Sequence, residues 1–323
     1  IKQTGNERAA WDCYRRFIDM FGDVVMGPTT GLTHHDFENE LEKIKKKYGA
    51  AEDTDLTAEQ LEQMQAILSR RETAALIAGC RPMEPTTAPV VRAVRAATSV
   101  AASDARIVGA LELDADLAAR VAAIAAADRG DAEPPAADPA ALVREYGPQR
   151  LREAIMVACV FERFAGAGED LVPPGPFWCH VLAVARLARD LAESHEQVSP
   201  TDAFAAGLLH DLGRLVLAET ARSAYGSLTS LATRAQVPLE ELEERLLGMS
   251  HAEVVAELVE HWVFGRDLAP VLKMHHAPRT QLEQLEPPQV PLAQVLALAD
   301  RLAHAHLAGD PRHDRLAATE DFA

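Results

Sequence analysis

The amino-acid sequence predicts an all-α fold, because its apolar residues are mostly helix-forming and recur at helical spacing. Hydrophobic residues make up 48% of the 323 positions and aromatic residues only 5%, with alanine supplying much of the apolar content. Alanine and leucine at this density favour helices and leave little material for a large sheet. Apolar positions three and four residues apart then predict helices that pack into a bundle.

The charge balance argues against a nucleic-acid partner. The chain has 32 basic and 49 acidic residues, a formal net charge of −17. Such a surface repels phosphate backbones, whose neutralisation provides much of the affinity for nucleic acids. The lysine run at residues 43–47 is typical of a solvated helix face.

Cysteine usage and hydropathy favour a cytoplasmic location. The four cysteines are scattered without a CxxC pair, which fits a reducing compartment better than a disulfide scaffold. No apolar run approaches the roughly 18 residues that a helix needs to span a bilayer. We therefore expect no membrane partner.

Residue usage changes sharply near residue 70. Five of the six lysines fall in the first 47 residues, and beyond residue 70 nearly all basic residues are arginines on an alanine-rich background. This change predicts two segments of separate ancestry, joined near residues 64–72. The predicted units are a helical segment at 1–70, a larger domain at 71–310 with halves at 71–165 and 166–310, and a tail at 311–323.

The first segment is predicted to form short helices separated by turns. One amphipathic helix is expected at residues 7–20, before a region that glycine and proline interrupt. A second should carry Phe37, Leu41, Ile44 and Tyr48 on one face and end at Gly49 as its C′ residue. The stretch 57–60 (TAEQ) has the pattern of a capping box that opens a further helix. The adjacent His34 and His35 invite a metal-site interpretation, but an exposed first helical turn explains them more simply.

Two stretches of this segment resemble a known enzyme. Residues 11–27 (WDCYRRFIDMFGDVVMG) and 53–61 (DTDLTAEQL) are similar to consecutive parts of the nucleotide-binding region of pyruvate phosphate dikinase. The similarity covers about residues 1–68, and the phosphoryl-carrying histidine domain and the pyruvate barrel have no counterpart. We therefore expect no dikinase reaction, and interpret the segment as a reused helical module or an accident of gene fusion or assembly.

Residues 72–165 are predicted to continue as helices around an exposed loop. The proline-rich, acidic stretch 126–139 (AADRGDAEPPAADP) predicts the loop. Nothing here carries obvious chemistry, so a scaffold or partner-docking role is expected. The apolar positions at helical spacing are Val90, Val91 and Val94, then Ile107, Val108 and Leu111, then Leu117, Val121 and Ile124, and after the loop Leu142, Leu151, Ile155 and Val160.

The most informative residues are histidines and aspartates that stand among apolar residues between positions 177 and 306. Their spacing from apolar neighbours predicts that they point inward, at least one of the adjacent pair 275–276 included. The run 204–215 (FAAGLLHDLGRL) is predicted as one apolar helix, in which an ionised aspartate is costly without a cation or hydrogen-bond partners. The residues concerned are His180, His210, Asp211, His251, His275, His276 and Asp300.

These side chains admit two interpretations. Imidazoles and carboxylates form a mixed nitrogen and oxygen set that suits iron, manganese, zinc or similar divalent ions, and helical bundles build metal sites from such inward residues. Alternatively, each residue is separately hydrogen-bonded in the core. Five apolar contexts favour a shared metal site, because the cost of burying polar groups would otherwise recur without a common function.

The same residues carry a resemblance to the HDOD branch of the HD superfamily. It covers about residues 72–306, implies an all-α, multi-helical HD-type bundle, and implies that His180, His210, Asp211 and Asp300 surround one metal ion. Asp211 would then bridge to a second ion held by His251, His275 and His276. The matching positions are Trp178–His180, residues 203–215, Glu244, Gly248, residues 251–254, Trp262, His275–His276 and Ala299–Asp300.

Departures from catalytic relatives shape the functional expectation. Arg214 stands where enzymes that cleave cyclic dinucleotides usually have lysine, and residues 277–280 (APRT) lack their Gly-Tyr-Pro motif. There is also no glutamate shortly before His180. The resemblance implies a signal-transduction output domain that docks signalling proteins, is non-catalytic or weakly catalytic, and has a pocket for a nucleotide or for one or two divalent ions (Fe, Mn, Zn or Mg). The alternative is a metal-dependent phosphohydrolase of nucleotides or cyclic dinucleotides, with Asp211 and Arg214 as catalytic residues.

Overall fold

The computed structural model describes residues 34–52, 55–57, 59–60, 97, 104–131, 133, 136–260 and 268–307. Within these ranges the regular secondary structure is helical and contains no strand, which confirms the all-α prediction. None of the helices in these ranges is both long enough and apolar enough to cross a bilayer. The expected helix at residues 7–20 and the positions Val90, Val91, Val94 and Trp262 lie outside the described residues.

Helices α2 to α13 bury one continuous apolar core. Helix α4 packs on α2 and α3, and its contacts with α6 join the two halves of the domain. Helix α5 lies against both α6 and α13, while α7 packs on α10. The helices are α1 (His34–Tyr48), α2 (Asp104–Leu111), α3 (Ala115–Arg129), α4 (Pro139–Phe164), α5 (Pro174–Glu193), α6 (Pro200–Leu209), α7 (Leu212–Thr220), α8 (Arg222–Ala235), α9 (Leu239–Leu246), α10 (His251–Glu260), α11 (Ala269–Lys273), α12 (Arg279–Leu282) and α13 (Val290–Leu307).

The local signals of the first segment are confirmed where the structure describes them. Gly49 has φ 68°, and the N–H of Ala50 donates to the carbonyl of Lys45 at 2.9 Å, which closes α1 in the way that a C′ glycine allows. At the capping box, the N–H of Thr57 donates to Gln60 Oε1 at 3.0 Å and the N–H of Gln60 donates to Thr57 Oγ1 at 3.3 Å. The side chains of His34 and His35 lie outside the described residues, so the metal-site interpretation there stays untested.

The loop predicted at residues 126–139 begins later than expected. Helix α3 continues to Arg129 and ends on Gly130, which has φ 84°. Ala126 is 2% exposed and packs in the core, so burial and the high helix propensity of alanine extend the helix past the predicted boundary. The connection is therefore confined to residues 130–138, and Asp138 caps α4 by accepting the N–H of Ala140 at 3.1 Å.

Helix α4 is kinked at Gly147. This residue has φ 77° and ψ 159°, a region of backbone space that is essentially reserved for glycine. Pro148 follows and starts the second part of the helix, where the first N–H would have no partner and a proline is tolerated. The kink redirects the chain before the buried stretch from Leu151 to Val160.

We expect Gly147→Ala to lower the free energy of unfolding by about 1–3 kcal/mol, the cost of holding a non-glycine residue in that backbone region. Steric crowding would not contribute, because a Cβ at Gly147 meets nothing within 4 Å. Chemical denaturation measures the effect, with Gly175→Ala as the control, since Gly175 is equally uncrowded and has no positive φ. Equal stability of the two variants would contradict the prediction.

Two glycines allow helices to touch backbone to backbone near the predicted site. A Cβ on Gly207 of α6 would lie 2.6 Å from Ala185 Cα of α5, and one on Gly213 of α7 would lie 2.0 Å from the His251 carbonyl of α10. Real Cβ atoms do not come so close, so only glycine permits these contacts. The close packing brings α5, the junction of α6 with α7, and the start of α10 to one place.

The prediction of one helix across residues 204–215 is wrong. Helix α6 ends at Leu209 and α7 begins at Leu212, so His210 and Asp211 form the joint between them. Successive residues of a straight helix point about 100° apart. The joint instead lets both side chains face the same interior space.

Candidate metal centre

The structure brings all seven sequence-predicted residues to one place. His180 projects from the middle of α5, His251 is the first residue of α10, and Asp300 lies on α13. His275 and His276 lie in the turn after α11, so they reach the cluster from a loop. Their polar atoms form overlapping groups that could hold metal ions, namely Asp211 with His251, His275 and His276, then His180 with His210 and Asp211, and His180 with Asp300 and His304.

Asp211 lies at the centre of this cluster. Its Oδ1 is 3.2 Å from His251 Nε2, 3.7 Å from His210 Nε2 and 3.9 Å from His275 Nε2. Its Oδ2 is 3.9 Å from His180 Nε2. One carboxylate therefore faces four imidazoles, with Oδ1 toward His210, His251 and His275 and Oδ2 toward His180.

Hydrogen bonds fix which ring nitrogen of the histidines is available. Nδ1 of His210 lies 2.7 Å from the Gly207 carbonyl, and Nδ1 of His275 lies 2.6 Å from the Leu272 carbonyl. Because a carbonyl oxygen only accepts hydrogen bonds, each Nδ1 carries a proton. In the neutral ring Nε2 then holds a lone pair, and in both residues this is the atom that faces Asp211.

The nitrogen pairs have the spacing expected of ligands to a shared cation. His180 Nε2 lies 3.2 Å from His210 Nε2, and His251 Nε2 lies 2.9 Å from His276 Nε2. Two imidazole nitrogens at about 2.0–2.1 Å from one ion, with angles between 90° and tetrahedral, would be roughly 2.9–3.4 Å apart. In addition, His275 Nε2 is buried and has no hydrogen-bond partner among the residues that the structure describes. Asp300 Oδ1 lies 3.1 Å from His180 Nε2 and 3.0 Å from His304 Nδ1. The residue types, the spacing and the unpartnered His275 Nε2 all fit a divalent cation.

The electrostatics of the cluster keep its carboxylates ionised. Burial would raise the pKa of Asp211, but the charges of His210 and Arg214 hold it well below its usual range. Burial opposes ionisation of Asp300 in the same way, and its contacts with His180, His210 and His304 hold its pKa well below normal. Two buried carboxylates in ionised form attract a cation strongly in a low-dielectric interior.

The histidines divide into two electrostatic classes. Burial, reinforced by His210 and His251, lowers the pKa of His275 to about 4, which keeps that ring neutral. Burial also lowers the pKa of His251, but the charges of Glu243 and Asp211 outweigh it and raise the pKa to about 10. A cation on His251 Nε2 therefore competes with a proton.

Arg214 lies at the edge of the cluster. Its Nη1 donates to Asp211 Oδ2 at 2.9 Å, and its guanidinium carbon lies 5.9 Å from the Phe177 ring centroid. Arg214 Nε is buried without a hydrogen-bond partner within the described ranges. The side chain is 31% exposed, so the guanidinium can contact both the cluster and a ligand from solvent.

Sequence reasoning missed three residues of the site. His304 lies one turn after Asp300, with its Nδ1 3.0 Å from both the Oδ1 and the carbonyl of that residue, and this spacing could have identified it. Glu243 hydrogen-bonds His251, and Tyr225 hydrogen-bonds Glu243. The resemblance to HDOD domains had included the neighbouring Glu244, which is exposed, and had not singled out Glu243.

A family model for the HDOD domain matches residues 84–278, more than half of the chain. The fold is similar to that of an HDOD domain protein of unknown function from Geobacter sulfurreducens, with a TM-score of 0.63 and 24% identity, over 77% of this chain and 80% of that one. A proposed phosphohydrolase from Shewanella amazonensis SB2B gives a TM-score of 0.57 at 21% identity, covering 72% and 81% of the two chains. A proposed signal-transduction protein from Marinobacter aquaeolei VT8 gives 0.58 at 18% identity, covering 78% and 63%. At these identities the similarity concerns the fold alone.

Short partial matches connect the chain to pyruvate, phosphate dikinases. The chloroplastic enzyme of Mesembryanthemum crystallinum is 52% identical over 64 residues, and the enzyme of Giardia intestinalis is 48% identical over 61 residues. The chain spans only 6% of the length of either enzyme. These matches agree with the resemblance to a fragment of that enzyme.

Proposed function

Because the chain belongs to the HDOD domain family, we propose that it acts as a cytoplasmic signal-transduction output domain built around a divalent-metal centre. The observation that carries this proposal is the convergence of three histidine Nε2 atoms on one oxygen of Asp211, at 3.2–3.9 Å. His275, whose low pKa keeps its ring neutral, presents the lone pair of Nε2 to the ionised Asp211 carboxylate, and a cation between them would remove the repulsion. A solved relative described as a proposed signal-transduction protein supports the functional class.

The residues divide naturally between two ions. His180, His210 and Asp300 would hold the first, His251, His275 and His276 the second, and Asp211 would contact both. Two such ions would supply Lewis-acid charge for binding a phosphoryl group and acidifying a water. The protein contributes fixed imidazole orientations, two ionised carboxylates, and a guanidinium at the entrance. The described residues of α2–α4 hold no comparable cluster of histidines and carboxylates, and this half is proposed as the surface that docks signalling proteins.

We expect Mn²⁺, Fe²⁺ or Zn²⁺ to stabilise the full chain and a chelator to reverse the effect. At a metal concentration of 100 times Kd, the stabilisation would be about 2.7 kcal/mol. Mg²⁺ should stabilise less, because imidazole-rich sites prefer transition metals. The effect should weaken as the pH falls, because protons compete for the histidines. Thermal denaturation with and without metal, together with elemental analysis, measures this, and no metal-dependent shift would refute the proposed centre.

A second candidate function is a metal-dependent phosphohydrolase acting on a nucleotide or cyclic dinucleotide. The observation that favours it is Arg214, whose buried and unpaired Nε lies on the same guanidinium that bonds Asp211. A guanidinium can bind a phosphate in bidentate fashion next to two metal ions. The relative described as a proposed phosphohydrolase supports the same class.

A hydrolysis assay separates the two functions. The full chain, loaded with Mn²⁺ or Fe²⁺, would be incubated with cyclic dinucleotides and nucleoside phosphates, and products would be quantified. Turnover that disappears in Asp211→Asn would establish the phosphohydrolase. Metal binding without turnover would favour the signalling domain, and metal-dependent co-purification of a signalling protein would support it further.

A further inference from the structure

We propose that Glu243 is a positioning residue that makes His251 a metal ligand and so completes the second half of the centre. This inference rests on the proposed metal centre. Glu243 would not contact an ion, because both of its oxygens are engaged by protein donors. It would act through His251 by fixing the ring orientation, the tautomer and the basicity of that histidine.

Glu243 is bonded almost entirely to His251. Its Oε2 accepts the main-chain N–H of His251 at 2.8 Å and lies 2.6 Å from His251 Nδ1. Its Oε1 accepts the hydroxyl of Tyr225 at 2.9 Å. One oxygen therefore fixes both the backbone and the ring of the first residue of α10, where helical N–H groups have no partner within the helix.

The Glu243 carboxylate is fully buried, so its hydrogen bonds to His251 and Tyr225 must compensate its charge. Glu243 is 0% exposed, and no lysine or arginine forms an ion pair with it among the described residues. An ionised carboxylate in the interior is costly unless donors compensate it. Burial raises the pKa of Glu243, but the charge and hydrogen bonds of His251 bring it below its usual value. The neighbouring Glu244, exposed on the same helix, has no such environment.

The hydrogen bond to Glu243 determines which ring nitrogen of His251 can bind a metal ion. A carboxylate only accepts hydrogen bonds, so Nδ1 must carry a proton and Nε2 is left as the ligand atom. That Nε2 points at Asp211 Oδ1, 3.2 Å away, and at His276 Nε2, 2.9 Å away. His210 and His275 use neutral carbonyls for the same purpose. Of these three histidines, only His251 has a carboxylate, that of Glu243, as the partner of its Nδ1. This negative charge raises the basicity of His251 Nε2.

Two substitutions of Glu243 test this role. In Glu243→Gln the amide oxygen can still accept both N–H groups of His251, but the charge is gone. In Glu243→Leu the acceptor is also lost. We expect the affinity for one of the two ions to fall about tenfold in the first variant and about 100-fold in the second, the range that outer-shell partners of metal ligands span. The other ion should be retained at close to its original affinity.

Competition with a chromophoric chelator, using Zn²⁺ and the full chain, measures both affinities, and elemental analysis measures the stoichiometry. Glu244→Gln is the matched control and should bind both ions like the wild type. A residue with a merely structural role would lower stability without a graded loss at one ion, so unchanged affinities in folded Glu243→Gln would overturn the inference. Absence of metal from the wild type would instead contradict the proposed centre itself, which keeps the two failures distinguishable.

Discussion

Replacing Asp211 with asparagine should remove both metal ions from the protein, the largest effect on binding that we expect of any single substitution. Asp211 is the residue whose two oxygens face both groups of histidines, with Oδ1 toward His251 and Oδ2 toward His180. Asparagine is isosteric but neutral, so the first ion would keep only Asp300 as a charged ligand and the second ion would keep none. The affinity should fall by more than the roughly 100-fold that loss of an outer-shell partner can cost.

Elemental analysis and Zn²⁺ titration of the purified chain measure this loss, and circular dichroism establishes that the variant is folded. Asp190→Asn is a suitable control, because Asp190 is a carboxylate on α5 that is 57% exposed and pairs only with its neighbour Arg189 in the described structure. Surface pairs of this kind contribute little. If folded Asp211→Asn bound two ions as tightly as the control, the bridging role of Asp211 would be wrong.

Gly213→Ala should produce the largest loss of stability, because it inserts a methyl group where two helix backbones touch. The new Cβ would lie 2.0 Å from the His251 carbonyl oxygen and 2.8 Å from its carbonyl carbon. A backbone cannot turn away as a flexible side chain can, so α7 and α10 must separate. Overpacking of this type costs about 1–3 kcal/mol, and we expect the upper part of that range. The separation would also move His251 away from Asp211 and weaken metal binding.

Gly109→Ala provides the matched comparison, since Gly109 also lies within a helix, α2, but a Cβ there meets nothing within 4 Å. That substitution should stabilise the protein by about 0.5–1 kcal/mol, the difference in helix propensity between the two residues. Urea denaturation of both variants, with and without Zn²⁺, measures stability and metal affinity together. We expect Gly213→Ala to lower the free energy of unfolding and Gly109→Ala to raise it. A Gly213→Ala variant as stable as the wild type would show that α7 and α10 can separate at little cost.

The seven polar residues could be selected from the sequence because each stands within or beside a stretch of apolar residues at helical spacing. Their selection needed no knowledge of which helices are neighbours. The resemblance to HDOD domains then grouped them, and the family match and fold comparisons agree with that assignment. Local caps were equally readable, as the Gly49 and Thr57 examples show, because their partners lie within a few residues.

Errors arose where tertiary contacts override a local pattern. The apolar run 204–215 contains no proline that would mark the break between α6 and α7 at His210 and Asp211. The break accompanies the packing of α6 on α5 and of α7 on α10, which no local pattern reveals. Helix α3 continues through Ala126 because Ala125 and Ala126 are buried in the core.

By itself the sequence determined that the protein is helical, that it is of the HDOD type, and which histidines and aspartates are placed at inward-facing positions. Helix propensity, hydrophobic periodicity and motif spacing depend on residues close together in the sequence, so they can be recognised without a structure. Only the tertiary structure decided that Asp211 lies between two groups of imidazoles, and that Glu243 rather than Glu244 supports His251. The first fact depends on contacts between helices that are far apart in sequence, such as the close approach of Gly213 to His251. The second depends on how α9 packs beside α10, where Glu243 hydrogen-bonds His251.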